Sequence, residues 1–233
     1  DIRPALKRAR IGGMLNPLEL LQIANNASGG RKLRKFLEAV DQNDHPIPLL
    51  RGLADQLYQS RELEEQIYSC INEQAEVMDS ASVELRNIRR ELRNGEARIR
   101  EKLEQMIRSA SVQKMLQEQI ITIRNGRYVI PVKQEYRSHF GGMIHDQSGS
   151  GATLFIEPEA AVAMNNRLRE LKLKEEQEIE KILRRLSALV QSEAEPLLVH
   201  VEALAELDFI FAKARLAHEW KASMPRMNDR GFL

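Results

Sequence analysis

Between Ile120 and His145 the chain sets Arg124, Arg127, Lys133 and Arg137 against a single acid, Glu135, with His139 and His145 in addition. So many cations in a short span suit attraction to phosphate groups. Tyr128, Tyr136 and Phe140 lie among them and would either stack on bases or fill a small core. A second set, Arg86, Arg89, Arg90, Arg93 and Arg100, reads as a phosphate-facing stripe or as the solvated face of a helix beside an acidic partner. Catalytic chemistry is not expected. No Gly-x-x-x-x-Gly-Lys-Ser/Thr run occurs, and SGSGAT at 148–153 lacks the lysine and leads into a β-rich run, so it reads as a turn. His139, His145 and Asp146 match no metal-ligand spacing, so no metal is assigned. His45, His200 and His218 are scattered and read as core or surface residues, and Cys70 as a small buried side chain.

These residues need elements to hold them. Residues 120–124 and 127–132 are β-rich and flank Asn125-Gly126, the pair that favours a type I′ hairpin turn. A second pair of strands fits around 142–145 and 153–156, with 148–151 as the bend. On both sides the pattern is helical. Leu85, Ile88, Leu92, Ile99, Leu103 and Met106 or Ile107 alternate in steps of three and four, with Gly95 on the same seam. Ser82 is the expected N-cap, and the helix is expected to run to about Glu118. A returning helix starts near Pro158 and runs to about Gln191, its seam clearest at Ile179, Ile182, Leu186 and Leu189. Each helix would be roughly 33 residues, or ~50 Å, long. The outgoing helix is net basic and the returning one net acidic, so the two should attract one another.

The flanking parts read as a helical subdomain. Asn16 caps a helix with Pro17 at its first position, and Gly29-Gly30 is either a break or a weak point in one longer helix. Pro46 and Pro48 exclude regular helix between 41 and 48, and 49–68 resumes helical spacing. Leu204, Leu207, Phe211 and Leu216 mark a last helix that should pack back on this subdomain. The fold class is therefore mainly α: a helical core (1–81 and 196–233), an outgoing helix (82–118), a small β clamp (119–157) and a returning helix (158–195). With 30% charged and 5% aromatic residues, the composition suits long amphipathic helices. The net charge of +1 means that any nucleic-acid site must be local. One cysteine excludes an internal disulfide and points to a reducing, cytoplasmic setting. No apolar run approaches the ~20 residues that span a bilayer, so no membrane partner is expected.

The runs RNGRYVIPVK, GGMIHDQSGSGATLFIEP and MNNRLRELKLKEEQEIEKIL resemble the bacterial MutS paralogue family of the MutS-two type. DIRPALKRARIGGMLNPLEL and EVMDSASVELRNIRRELR add to the resemblance, which covers essentially the whole chain. It implies a core, a lever of long helices and a clamp set between the lever's arms. It also implies a longer parent with an ABC-type ATPase domain that uses ATP and Mg, and a C-terminal nuclease domain, neither of which lies in this sequence. Such a parent homodimerises through its ATPase domains, binds branched DNA and restrains homologous recombination. In some bacteria it also recognises collided ribosomes, with their rRNA, and splits them. On that reading this stretch supplies grip and reach. The alternative is a structural coiled-coil arm that contacts another protein or a second copy.

Overall fold

The computed structural model describes residues 1–42 and 46–223. In chain order the helices are α1 (Arg3–Arg10), α2 (Pro17–Gln42), α3 (Pro48–Ala54), α4 (Arg61–Tyr68), α5 (Val83–Ile107) and α6 (Ala110–Gln113). Four strands follow: β1 (Thr122–Arg124), β2 (Arg127–Lys133), β3 (Gly142–Gln147) and β4 (Thr153–Pro158). Helices α7 (Glu159–Ser192) and α8 (Ala194–Glu219) complete the order, so the chain is mainly α as its periodicity predicts. It divides into two compact units, one of Asp1–Met78 with the described residues from Leu183 onward, the other of Asp79–Ile182.

In the first unit the α2 N-terminus is a capping box. Asn16 Oδ1 accepts from the Glu19 amide at 2.9 Å and Glu19 Oε2 accepts from the Asn16 amide at 3.0 Å. Helix α2 continues through Gly29 and Gly30, which settles the open reading of that pair. Gly29 faces open space, whereas a Cβ on Gly30 would run into the His200 ring. His200 is fully buried; its Nδ1 accepts from the Tyr58 amide at 3.0 Å and its Nε2 meets the Asn26 carbonyl at 3.3 Å. That pairing breaks the helix expected over 49–68 into α3 and α4. Leu57 and Tyr58 turn inward instead, and burial of both, with the Tyr58 amide satisfied by His200, offsets the lost helical bonds. Leu204 and Leu207 pack with Leu37, Ala54 and Leu57 as the spacing predicts. Phe211 and Leu216 do not: both are exposed, along with Phe209 and Trp220. Of the scattered histidines, His45 lies outside the described residues.

The second unit holds the helix pair and the β module. Ser82 caps α5, its Oγ accepting from the Leu85 amide at 3.0 Å. Leu85, Ile88, Leu92, Ile99, Leu103 and Ile107 are all buried, so the seam runs as its spacing predicts. Helix α5 ends at Ile107, well short of 118. The chain then turns back onto the sheet. Met115 O accepts from the Lys133 amide at 2.8 Å, the Gln117 amide donates to Pro131 O at 3.0 Å, and Leu116 is buried beside Val132. Pairing with β2 satisfies backbone groups that a longer helix would have satisfied internally. The two helices are thus unequal, 25 against 34 residues. They run antiparallel, since Ser82 meets Glu178, Arg89 meets Glu175 and Gly95 meets Leu168.

The seam of α7 follows the expected one at Ile182 and Leu186, both buried, and departs from it elsewhere. Leu168, Leu171 and Ile182 are buried, whereas Ile179 is only partly so. Between Leu171 and Ile182 the three–four spacing falls on Glu175 and Glu178. Arg89 answers the first at 2.7 Å, and the Ser82 hydroxyl donates to the second at 2.8 Å. The sheet order is β1-β2-β4-β3, antiparallel throughout. Asn125 and Gly126 have φ of 52° and 73°, the left-handed pair that a type I′ turn requires. Tyr128, Ile130, Val132, Leu154 and Ile156 face one way and close a core with Ile99, Leu103, Ile107 and Leu168.

Candidate functional site

The buried face of the sheet leaves the charged residues of β2, β3 and β4 on the other side, and there they meet one another. Glu157, fully buried in β4, accepts from Arg127 Nη1 at 2.7 Å and from Asn165 Nδ2 at 2.8 Å. Its second oxygen lies 2.5 Å from His145 Nε2, within hydrogen-bond reach. Arg127 also donates to Asn166 Oδ1 at 2.7 Å. Asn165, on the first turns of α7, continues the sheet. Its Oδ1 accepts from the Tyr128 amide at 2.9 Å and its Nδ2 donates to the Tyr128 carbonyl at 3.1 Å. A side-chain amide here does what the next peptide of a strand would do, at the place where β4 gives way to α7.

A second set of contacts ties the β1–β2 turn to β3. Arg124 pairs with Asp146 at 3.1 Å and lies 4.1 Å from the Phe155 ring centroid, while Asn125 Nδ2 donates to His145 O at 3.0 Å. Arg137 donates to the carbonyls of Phe140 and Gly142 at 3.0 and 3.4 Å and so closes the loop before β3. His139 is exposed, its Nδ1 3.2 Å from Ser138 Oγ. Lys133 is half-buried and reaches the Lys114 carbonyl at 3.4 Å. Of the six tip residues singled out in the sequence, four are therefore held by partners within the module, and Lys133 and His139 are the ones turned toward its surface. Tyr128 and Phe140 are buried and Tyr136 packs against the same core, so these rings fill the module.

The α5 arginines divide similarly. Arg89 bridges Asp79 at 2.8 Å and Glu175 at 2.7 Å, and Arg93 meets the other Asp79 oxygen at 3.2 Å. The hydrogen bond from Arg89 holds the Asp79 carboxyl below its usual range; burial opposes this and Arg93 adds to it. Arg90 donates to Asn87 at 3.1 Å, and Arg100 lies 5.2 Å from the Tyr128 ring centroid. Arg86 is exposed.

No group of three or more metal-ligating side chains occurs among the described residues. The 148–151 turn joins two antiparallel strands rather than opening a helix, so these residues do not fit the cradle that a nucleotide would need. No helix among the described residues is long and apolar enough to cross a membrane.

No family model matches the chain. The curated proteins tell more. The chain is 56% identical over 233 residues to the endonuclease MutS2 of Geobacillus sp. (strain WCH70), and 56% identical over 234 to that of Brevibacillus brevis. It is 50% identical over 234 residues to the endonuclease MutS2 of Shouchella clausii. The chain matches a fragment of the MutS2 proteins. The matches take in all of this chain and 30% of each relative, so it spans under a third of the length of the MutS2 proteins it matches.

Sequence reasoning missed the Glu157 hub. Glu157 reads as an acid favoured at a helix start, yet it is a strand residue, and it is Glu159 that stands in the first turn of α7. A signal was present. Two adjacent asparagines, poor helix formers, sit near the start of a helix otherwise rich in strong ones, which marks side chains needed for hydrogen bonding elsewhere.

Proposed function

We propose that this chain is the gripping region of a MutS-like ATPase and that it holds nucleic acid or ribosomes without hydrolysing anything itself. The targets are branched DNA, in restraint of homologous recombination, or collided ribosomes and their rRNA. ATP and Mg chemistry, nuclease action and homodimerisation belong to other parts of the parent, in a cytoplasmic setting. The observation that carries this reading is the division of charge in the β module. Arg124, Arg127, Arg137 and His145 are committed to internal partners, which makes the module stiff, while Lys114, Lys133 and His139 remain toward the surface. A stiff platform with outward cations suits sequence-independent contact with phosphates.

The test is binding of the 233-residue chain to branched DNA, duplex DNA and 70S ribosomes over a salt series. The expected result is binding whose logarithm falls linearly with the logarithm of salt concentration. Absence of binding to all three at 50 mM salt would refute the reading. A structural arm is the second reading, and one observation favours it. Beside Gly95 a groove of about 480 Å³ between α5 and α7 is lined by exposed Ala163 and half-buried Met164 over the buried Leu168 and Leu171, with room for a side chain of another helix. Mass that rises with protein concentration, together with no nucleic-acid binding, would support that reading instead.

A further inference from the structure

We infer that the phosphate contact lies where three segments of the β module converge: Lys114, Lys133 and the 148–151 turn. This rests on the gripping function proposed above and assigns it to particular atoms. The ligand is the phosphodiester backbone of helical nucleic acid.

The convergence is fixed by the backbone. Lys133 pairs with Thr153 across β2 and β4, and its amide donates to Met115 O at 2.8 Å. The Gln134 amide donates to Ala152 O at 3.0 Å. Lys133 Nζ stands 3.4 Å from the Lys114 carbonyl, so the two lysines belong to one patch. Neither lysine forms an ion pair among the described residues. Glu118 and Glu135 are the acids nearest them in sequence, and both are exposed.

The turn supplies the second kind of donor. Ser148 Oγ accepts from the Thr153 amide at 3.1 Å, the Gly151 amide donates to Ser148 O at 2.8 Å, and Gly151 holds a φ of 75°. These bonds fix the loop while leaving the amides of Gly149 and Ser150 without a partner among the described residues. Gly149 is exposed with open space where a Cβ would be, so a phosphate can approach the backbone closely. Lys114 and the two free amides sit on backbone segments that flank β2 on its two edges, with Lys133 at the end of β2 itself, and the turn is poor in acids, so one phosphodiester backbone can meet both kinds of donor. The class of ligand follows from what is missing. Tyr128 and Phe140 are buried and Phe155 lies under Arg124, so these rings cannot serve as a stacking platform for splayed bases. Single strands gain much of their affinity from such stacking, whereas helical nucleic acid can be held by its backbone alone.

The experiment is fluorescence anisotropy of the chain with labelled 30-base-pair DNA, 30-base-pair RNA and a 30-nucleotide single strand at 50–200 mM salt. The variants are Lys114→Glu/Lys133→Glu, Gly149→Asp, which the open space accommodates, and Lys172→Glu/Lys174→Glu as a control on the exposed side of α7. Circular dichroism checks that each is folded. For wild type, either duplex should bind more tightly than the single strand, and the tighter duplex identifies DNA or RNA as the source of the backbone. The lysine pair should lose at least 10-fold in affinity, and its log–log salt slope should fall by about 2, one unit for each lost contact. Gly149→Asp should weaken binding in the same direction, and the α7 control should retain it. Wild-type binding that the lysine pair leaves unchanged, or a single strand bound as tightly as a duplex, overturns this assignment while leaving the gripping function intact. Failure of wild type to bind any probe removes the function itself.

Discussion

Replacing Glu157 by alanine should disable the β module more thoroughly than removing any cation at its surface. The carboxylate is fully buried and is met by Arg127, His145 and Asn165 at 2.5–2.8 Å. Alanine leaves Arg127, whose side chain is only 14% exposed, with Asn166 as its remaining partner and a charge that nothing opposes. Breaking a buried ion pair from one side costs about 3–5 kcal/mol. The donors stranded on Asn165 and His145 draw on the same loss, so about 4 kcal/mol is the working figure. For a unit of about 100 residues, each kcal/mol moves the midpoint by roughly 4–8 °C, which puts the fall at about 16–32 °C. Arg127→Met should cost a similar amount, since it leaves the carboxylate without its guanidinium. Arg127→Met/Glu157→Leu should cost less than either single change, because two apolar groups of similar size leave no buried charge behind. The assay is thermal melting followed by circular dichroism, with hydrogen exchange of β2 and β4 to locate the loss in this unit. A Glu157→Ala loss below about 1 kcal/mol, or a double variant as unstable as the worse single one, would refute the hub as an energetic unit. A practical consequence concerns binding studies. Charge reversal at Arg127 would weaken any ligand by loosening the module, so Lys133 is the sounder probe.

The glycines give a matched pair. Gly29→Ala should stabilise by about 1 kcal/mol through helix propensity, whereas Gly30→Ala, driven into the His200 ring, should lose about 2 kcal/mol net of that gain; chemical denaturation of both checks the sign of each. Gly95→Ala should change stability by less than about 1 kcal/mol, since its Cβ meets only the tip of the flexible Leu168 side chain and the propensity gain offsets the crowding; a loss above 2 kcal/mol would show that this tip has nowhere to move. His200 sets a pH dependence. Burial holds its pKa below the usual value, partly opposed by its bond to the Asn26 carbonyl. The unfolded chain therefore takes up the proton first as pH falls through about 6.5, and stability drops by up to about 1.4 kcal/mol per pH unit until the folded-state pKa is reached. Denaturation at pH 7.5 and 5.5 should show this loss in wild type and a smaller one in His200→Gln.

The elements that sequence alone reveals best are those whose patterns are local. The α5 seam, the Ser82 cap and the Asn125-Gly126 turn each follow from neighbours a few residues apart, and each is where its residues place it. The end of α5 was not legible, because residues 108–118 carry helical composition and are diverted by a partner strand that follows them in the chain. The break between α3 and α4 depends on His200, over a hundred residues away. The α7 seam was legible at Ile182 and Leu186 but not before them, for a simpler reason: two of its positions are glutamates, and a search for apolar periodicity steps around them. At the candidate site the cations themselves were visible in the sequence. Which of them are consumed by Glu157, Asp146 and backbone carbonyls was not, since that depends on strand register.

Asn165 has a mechanical consequence. Both polar atoms of its side chain are bound to the Tyr128 backbone, and one of them also reaches Glu157. Each residue along a helix advances its side chain by about 100° around the axis. A twist of α7 by even a fraction of that would pull the amide off the strand, so the sheet cannot swivel freely about the helix. Torque applied along α7 is delivered to the module through two hydrogen bonds at its root, as through a key in a shaft.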